Sequence, residues 1–151
     1  VVTDAQYLDV IEFIQSELKK LSINMKIEIT PPSILRQGKA KGKYDFFRAS
    51  WIADYPNPEN YFDLFSSKNK TPNGPNYTYF MDEKFDSIYS ILNEEESHIE
   101  KNFEILENII YNFSPIIPLY YDMSIRLLNN NIVGMSNNAI NMLNLEEVNK
   151  L

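Results

Sequence analysis

The sequence predicts an α/β fold, and three observations carry that prediction. Tyr7, Val10, Ile11, Ile14, Leu18 and Leu21 recur at helical spacing over residues 4–21. Met25, Ile27 and Ile29 alternate with Lys26, Glu28 and Thr30, the period of a strand with one buried face. After a short helical stretch, residues 44–50 (YDFFRAS) read as a second strand. Helix, strand, helix, strand in this order favours parallel pairing, because each intervening helix serves as a crossover.

The remaining elements follow in order. Thr3 and Gln6 fit a capping box for the first helix, and Lys19 and Lys20 suit its C-terminal end. Pro31 and Pro32 stop the first strand, and Ser33 caps a short helix that ends before Gly38 or Gly42. Residues 59–65 form one or two helical turns, with Tyr61, Phe62, Leu64 and Phe65 as anchors, and residues 66–79 are the most loop-like part of the chain. Asp82 starts a helix carrying Phe85, Ile88, Tyr89 and Leu92, and Glu94-Glu95-Glu96 interrupts the apolar pattern. Ser97 and Glu100 make a second capping box, ahead of a long helix with Ile99, Phe103, Leu106, Ile110 and Phe113. Residues 115–121 (PIIPLYY) read as a buried strand whose prolines place it at an edge or a strand start. Residues 124–128 continue extended, and Val133-Gly134-Met135 with Ile140 to Leu145 read as apolar pegs on a loose tail.

Composition narrows the function classes. At 151 residues the chain has the size of one domain, and at net charge −7 it is a poor partner for nucleic acid. The basic stretch Arg36, Lys39, Lys41 and Lys43 reads as a solvated turn before a strand. Cysteine is absent, which excludes thiol catalysis, disulfides and Cys-based zinc sites. No apolar run reaches the length of a membrane span. The chain opens at Val1 and reads as a fragment or processed chain. Asparagine is abundant, a bias that reads as genomic and is given no functional weight.

Catalytic chemistry is poorly supported. The lone His98 reads as a surface residue, and neither a metal-ligand spacing nor a glycine-rich phosphate loop is present. No metal, cofactor or catalytic residue is therefore expected. A pair drawn from Asp45, Asp54 and Asp63 would allow a small hydrolase, but their spacing does not require it.

Binding chemistry concentrates at the end of the second strand. Asp54, flanked by Trp51 and Tyr55, is suited to receive an ammonium group through charge-assisted hydrogen bonds beside an aromatic face. Arg48 offers the fork that suits a carboxylate, and six positions of regular strand would put it on the same face as Asp54. Together they would match a zwitterion. An ordinary structural reading stands level with this one: Asp54 caps the following turn, Trp51 is core, and Arg48 pairs with Asp45.

Gly42-Lys43-Tyr44-Asp45, followed by Arg48-Ala49-Ser50-Trp51-Ile52-Ala53-Asp54-Tyr55-Pro56-Asn57-Pro58, resembles the "GxYD…W.ADYPDP" signature of the oligopeptide- and dipeptide-binding proteins of ABC transporters, family 5 of the solute-binding proteins. Asn76-Tyr77 with Phe85-Asp86, the segment Ser114 to Tyr121, and Arg126-Leu127 through Val133-Gly134 are similar to later motifs of the same family in the same order. Leu18 to Ile23 resembles its "LkklGI", with Ser22 where glycine is usual.

The resemblance implies a C-terminal lobe fragment of a type II periplasmic-binding-protein clamshell. Residues 1–132 would be the ligand-binding lobe, and residues 133–151 a tail that returns to the other lobe. It implies that Asp54 pairs with a peptide's α-amino group, that Trp51, Ile52 and Ala53 give pocket wall and backbone hydrogen bonds, and that Arg48 receives the peptide carboxylate in some members. The partners implied are a peptide, the missing N-terminal lobe and an ABC permease, in an extracytoplasmic and lipid-anchored setting. A half-cleft would bind weakly, since one wall cannot desolvate a ligand. The alternatives are a receptor for a non-peptide solute, a stand-alone protein-interaction module, and the small hydrolase using Asp45 and Asp54.

Overall fold

The computed structural model describes residues 1–92, 98–138 and 141–151. Its N-terminal layer is built on β1 (Val2–Thr3), a strand of two residues with neighbours on both sides. β1 pairs in parallel with β2 (Glu28–Ile29), Val2 opposite Glu28 and Thr3 opposite Ile29. On its other edge Val2 bridges Phe47, again in parallel: Val2 N–H donates to the Phe46 carbonyl at 3.0 Å, and Arg48 N–H to the Val2 carbonyl at 3.0 Å. With both edges occupied, Val2 and Thr3 are buried.

The crossovers are helical, as the alternation predicts. A 3-10 turn, Ala5–Tyr7, leads into α1 (Leu8–Lys20). The cap is Asp4 rather than Thr3: Asp4 Oδ1 accepts from Gln6 N–H at 3.0 Å, while Thr3 belongs to the strand. α1 ends in paired bonds, Ser22 N–H to Lys19 O and Ile23 N–H to Leu18 O, both 3.0 Å, with Ser22 at φ 62°. That left-handed position explains why glycine is the favoured residue there.

The first predicted strand shrinks to β2. Met25 is buried but Ile29 is half exposed, so the alternating pattern covers only part of a face. α2 (Pro32–Ala40) is initiated by Pro32 in its first turn, with no side-chain cap from Ser33. It runs through Gly38 and ends before Gly42. Gly38 is buried under the Tyr44 ring, which occupies the space a Cβ would need, and Gly42 sits at φ 60°. Arg36 and Lys39 of the basic stretch lie in α2, Lys39 half-buried, while Lys41 and Lys43 follow in the exposed turn and loop before residue 44.

The second layer is aromatic. α3 (Glu59–Phe62), α4 (Glu83–Ser90) and α5 (Ile99–Phe113) surround a core of Phe62, Phe65, Phe80, Phe85, Leu92 and Leu106. Phe85 is 0% exposed, its ring centroid 5.5 Å from Phe80 and 6.3 Å from Phe62 and from Phe65. Asp82 caps α4 as expected, Oδ1 accepting from Phe85 N–H at 2.7 Å. Glu94-Glu95-Glu96, Ser97 of the second capping box, and Ile140 lie outside the described residues.

Residues 66–79 form a loop around a short 3-10 turn, Ser67–Asn69, and the loop is pinned by buried polar side chains. Asn76 is 0% exposed, and its Nδ2 donates to the carbonyls of Ser66 and Phe80, each at 3.0 Å. Residues 115–121 depart from expectation: they join no sheet, and Ile117, Tyr120 and Tyr121 are exposed. Among the described residues no neighbouring strand offers them backbone partners. The tail is tied rather than loose. β3 (Ile132–Val133) pairs antiparallel with β4 (Asn149–Lys150), and the Arg126 guanidinium donates to Asn141 Oδ1 at 2.7 Å and to its carbonyl at 3.1 Å.

Candidate ligand-binding site

Past Arg48 the chain leaves the sheet and enters the loop that leads to α3. The loop is held by one side chain. Asn60, 2% exposed on α3, accepts through Oδ1 from Trp51 Nε1 at 2.9 Å and from Asp54 N–H at 3.1 Å. Its own N–H donates to the Asn57 carbonyl at 3.2 Å. Asn57 Oδ1 in turn accepts from Glu59 N–H at 2.9 Å.

These contacts do not engage the Asp54 side chain. The Asx-type cap of the turn is supplied by Asn57, not Asp54. The Asp54 carboxylate is exposed and has no hydrogen-bond or ion-pair partner among the described residues. Trp51 is only half-buried, so it is not plain core, and Ile52 is 72% exposed beside the half-buried Ala53. Partial desolvation raises the Tyr55 phenol above its usual range, with Glu59 and Asp63 adding to the effect.

Arg48 goes elsewhere. Its guanidinium stacks on the Tyr7 ring, 3.2 Å from the centroid, and forms no salt bridge with Asp45. It lines a cleft of about 140 Å³ with Asp4, Pro32, Leu35, Arg36 and Lys39, and Asp54 is not among the lining residues. The Lys39 ammonium lies 5.4 Å from the Tyr77 ring centroid and 5.8 Å from that of Phe47. Burial, then Arg48 and Arg36, hold Lys39 below the usual lysine range, with Asp4 opposing. The expected zwitterion site therefore separates into a free carboxylate on the loop and a cationic cleft against α2, because regular strand geometry ends before Asp54.

Asn60 was not anticipated. Asn57, Asn60, Asn69 and Asn76 all hold loops through their side-chain amides, so the asparagine content is in part structural. The spacing of Asn60 from the Trp51–Asp54 stretch was the one available signal, and it is a weak one. Among the described residues no cluster of potential metal ligands occurs, and no helix is long and apolar enough to cross a membrane.

Residues 2–73, which include β1, α1, α2 and the loop of residues 51–58, match the profile described as bacterial extracellular solute-binding proteins, family 5 middle. Over that stretch the chain is similar to family 5 of the solute-binding proteins. It is 22% identical over 98% of its length to the dipeptide-binding protein DppE of Bacillus subtilis, and 26% identical over 73% of its length to the periplasmic murein peptide-binding protein MppA of Escherichia coli. It spans 27% and 20% of those two relatives. The structure of the E. coli murein tripeptide binding protein MppA superposes on 99% of this chain at a TM-score of 0.83, with 20% identity and 30% of that chain covered. The fold is accordingly a part of the type II periplasmic-binding architecture.

Proposed function

We propose that this chain is part of an extracytoplasmic peptide receptor for an ABC transporter, and that Asp54 is its anchor for the ligand's α-amino group. The observation that carries the reading is the Asn60-held loop, which leaves the Asp54 carboxylate solvent-facing and without a protein partner. A fixed, unengaged carboxylate next to an indole gains a charge-assisted hydrogen bond when an ammonium arrives. Trp51, Ile52, Ala53 and Tyr55 supply the surrounding wall, and Arg48 a positive group in the separate cleft against α2. The relatives named for dipeptides and murein peptides support a peptide as the solute.

In this reading residues 1–132 are the ligand-binding lobe and residues 133–151 run to the second lobe. The protein captures and delivers its ligand without transforming it, works with a permease, and is lipid-anchored outside the cytoplasm. Calorimetric titration of the intact protein with tri-alanine is the test. Asp54→Ala is expected to weaken binding about tenfold to a hundredfold, the range for losing a hydrogen bond to a charged group. Unchanged affinity overturns the assignment.

A further inference from the structure

Two of the six predicted site residues meet at Asn60. Its Oδ1 accepts from the Trp51 indole at 2.9 Å and from the Asp54 backbone at 3.1 Å. An amide oxygen has two lone pairs, and both are used. The side chain is 2% exposed, so it presents little surface to a ligand. Its place is fixed from behind: α3 also carries Phe62 into the aromatic core, stacked on Phe103 at 5.5 Å between centroids. The next residue past α3, Asp63, is tied to Asn69 Nδ2 at 3.0 Å and to the Tyr89 hydroxyl.

From this geometry we infer that Asn60 is the positioning residue of the amine anchor: it aligns Asp54 and Trp51 for the ligand without touching it. The inference rests on the reading of Asp54 given above. Its physical content is preorganisation. A loop already held in place loses little conformational freedom when an ammonium binds, so affinity for the amine depends on the bolt as well as on the carboxylate. A side chain of the same shape lacking the oxygen leaves the indole N–H and the Asp54 N–H without their acceptor, and the loop is released.

The test uses the intact protein, with tri-alanine and N-acetyl-tri-alanine as probes. Asn60→Leu is expected to cut the preference for the free amine at least tenfold while N-acetyl-tri-alanine binds as before. It is also expected to shift the indole N–H resonance of Trp51, assigned by its loss in Trp51→Phe. Asn60→Asp keeps an acceptor oxygen and is expected to restore that resonance and most of the amine preference, which a role in general packing would not produce. Circular dichroism and a thermal melt establish that each variant folds; if Asn60→Leu does not, the comparison of Asn60→Asp with Asn60→Gln decides, a loss of amine preference only in the longer side chain being the supporting result. An unchanged amine preference in Asn60→Leu beside a weakened Asp54→Ala overturns this proposal alone. Wild-type binding by Asp54→Ala overturns the underlying reading and this proposal with it.

Discussion

Residues 59–113 and residues 115–128 are both rich in apolar and aromatic side chains, yet they fare differently. The first region buries Phe62, Phe65, Phe80, Phe85 and Leu106 around a single core. The second leaves Ile117, Tyr121, Met123, Ile125 and Leu127 exposed. The difference lies in the backbone. A helix satisfies its own amides and carbonyls, so α4 and α5 need only side-chain contact to be buried. An extended segment needs a neighbouring strand for the same groups, and among the described residues none is offered to 115–128. β1 makes the point from the other side: two residues long, it is buried because both of its edges are paired.

The largest expected effect sharpens that contrast. Phe85 is 0% exposed and has four aromatic neighbours, so Phe85→Ala removes a buried ring that the surrounding rings refill only in part. We expect a loss of about 3–5 kcal/mol in denaturant unfolding. Tyr121 is 98% exposed, and Tyr121→Ala is expected to change stability by less than about 0.5 kcal/mol. Comparable losses at the two positions would mean that residues 115–128 are covered in the protein as it exists in solution.

Asn76 comes next. It is fully buried in the loop between the two halves of the aromatic core, and its Nδ2 satisfies two carbonyls at once. Asn76→Ala leaves the Ser66 and Phe80 carbonyls without that donor, and we expect a loss of about 2–3 kcal/mol. A loss below about 0.5 kcal/mol would show the loop to be held by its backbone bonds alone.

These positions also mark what the sequence could and could not convey. The α/β alternation was legible because Ile11, Phe85 and Leu106 fall on true helical faces, and the Asp82 cap because local bonds depend only on neighbours. The resemblance singled out Asp54 as a candidate, and among the described residues its carboxylate is exposed and without a hydrogen-bond or ion-pair partner. The misses were non-local. Whether residues 115–121 are buried depends on a partner strand, which no periodicity contains. Whether Arg48 faces Asp54 depends on where strand geometry stops. Asn60 and Asn76 work because distant donors and acceptors converge on them, and composition alone made them look like bias.

The smallest effect probes how α3 is fastened to α4. The Tyr89 hydroxyl donates to Asp63 Oδ1, and burial, with Asp63 reinforcing it, raises the phenol above its usual range. Tyr89→Phe keeps the ring and removes the bond, at an expected cost of about 1 kcal/mol near neutral pH. The pH dependence has a definite sign. A phenol whose pKa is raised on folding keeps its proton where the unfolded chain has released it, so its stabilisation is complete below about pH 10 and is lost as the pH rises toward the folded value. The gap between wild type and Tyr89→Phe should therefore narrow above about pH 10, read by unfolding at a series of alkaline pH values. A gap that stays constant or widens would mean that the Tyr89–Asp63 bond does not set the phenol's titration, and that α3, with Asn60 upon it, is held to α4 by ring packing and the Asp86 bonds to Ser66 and Ser67.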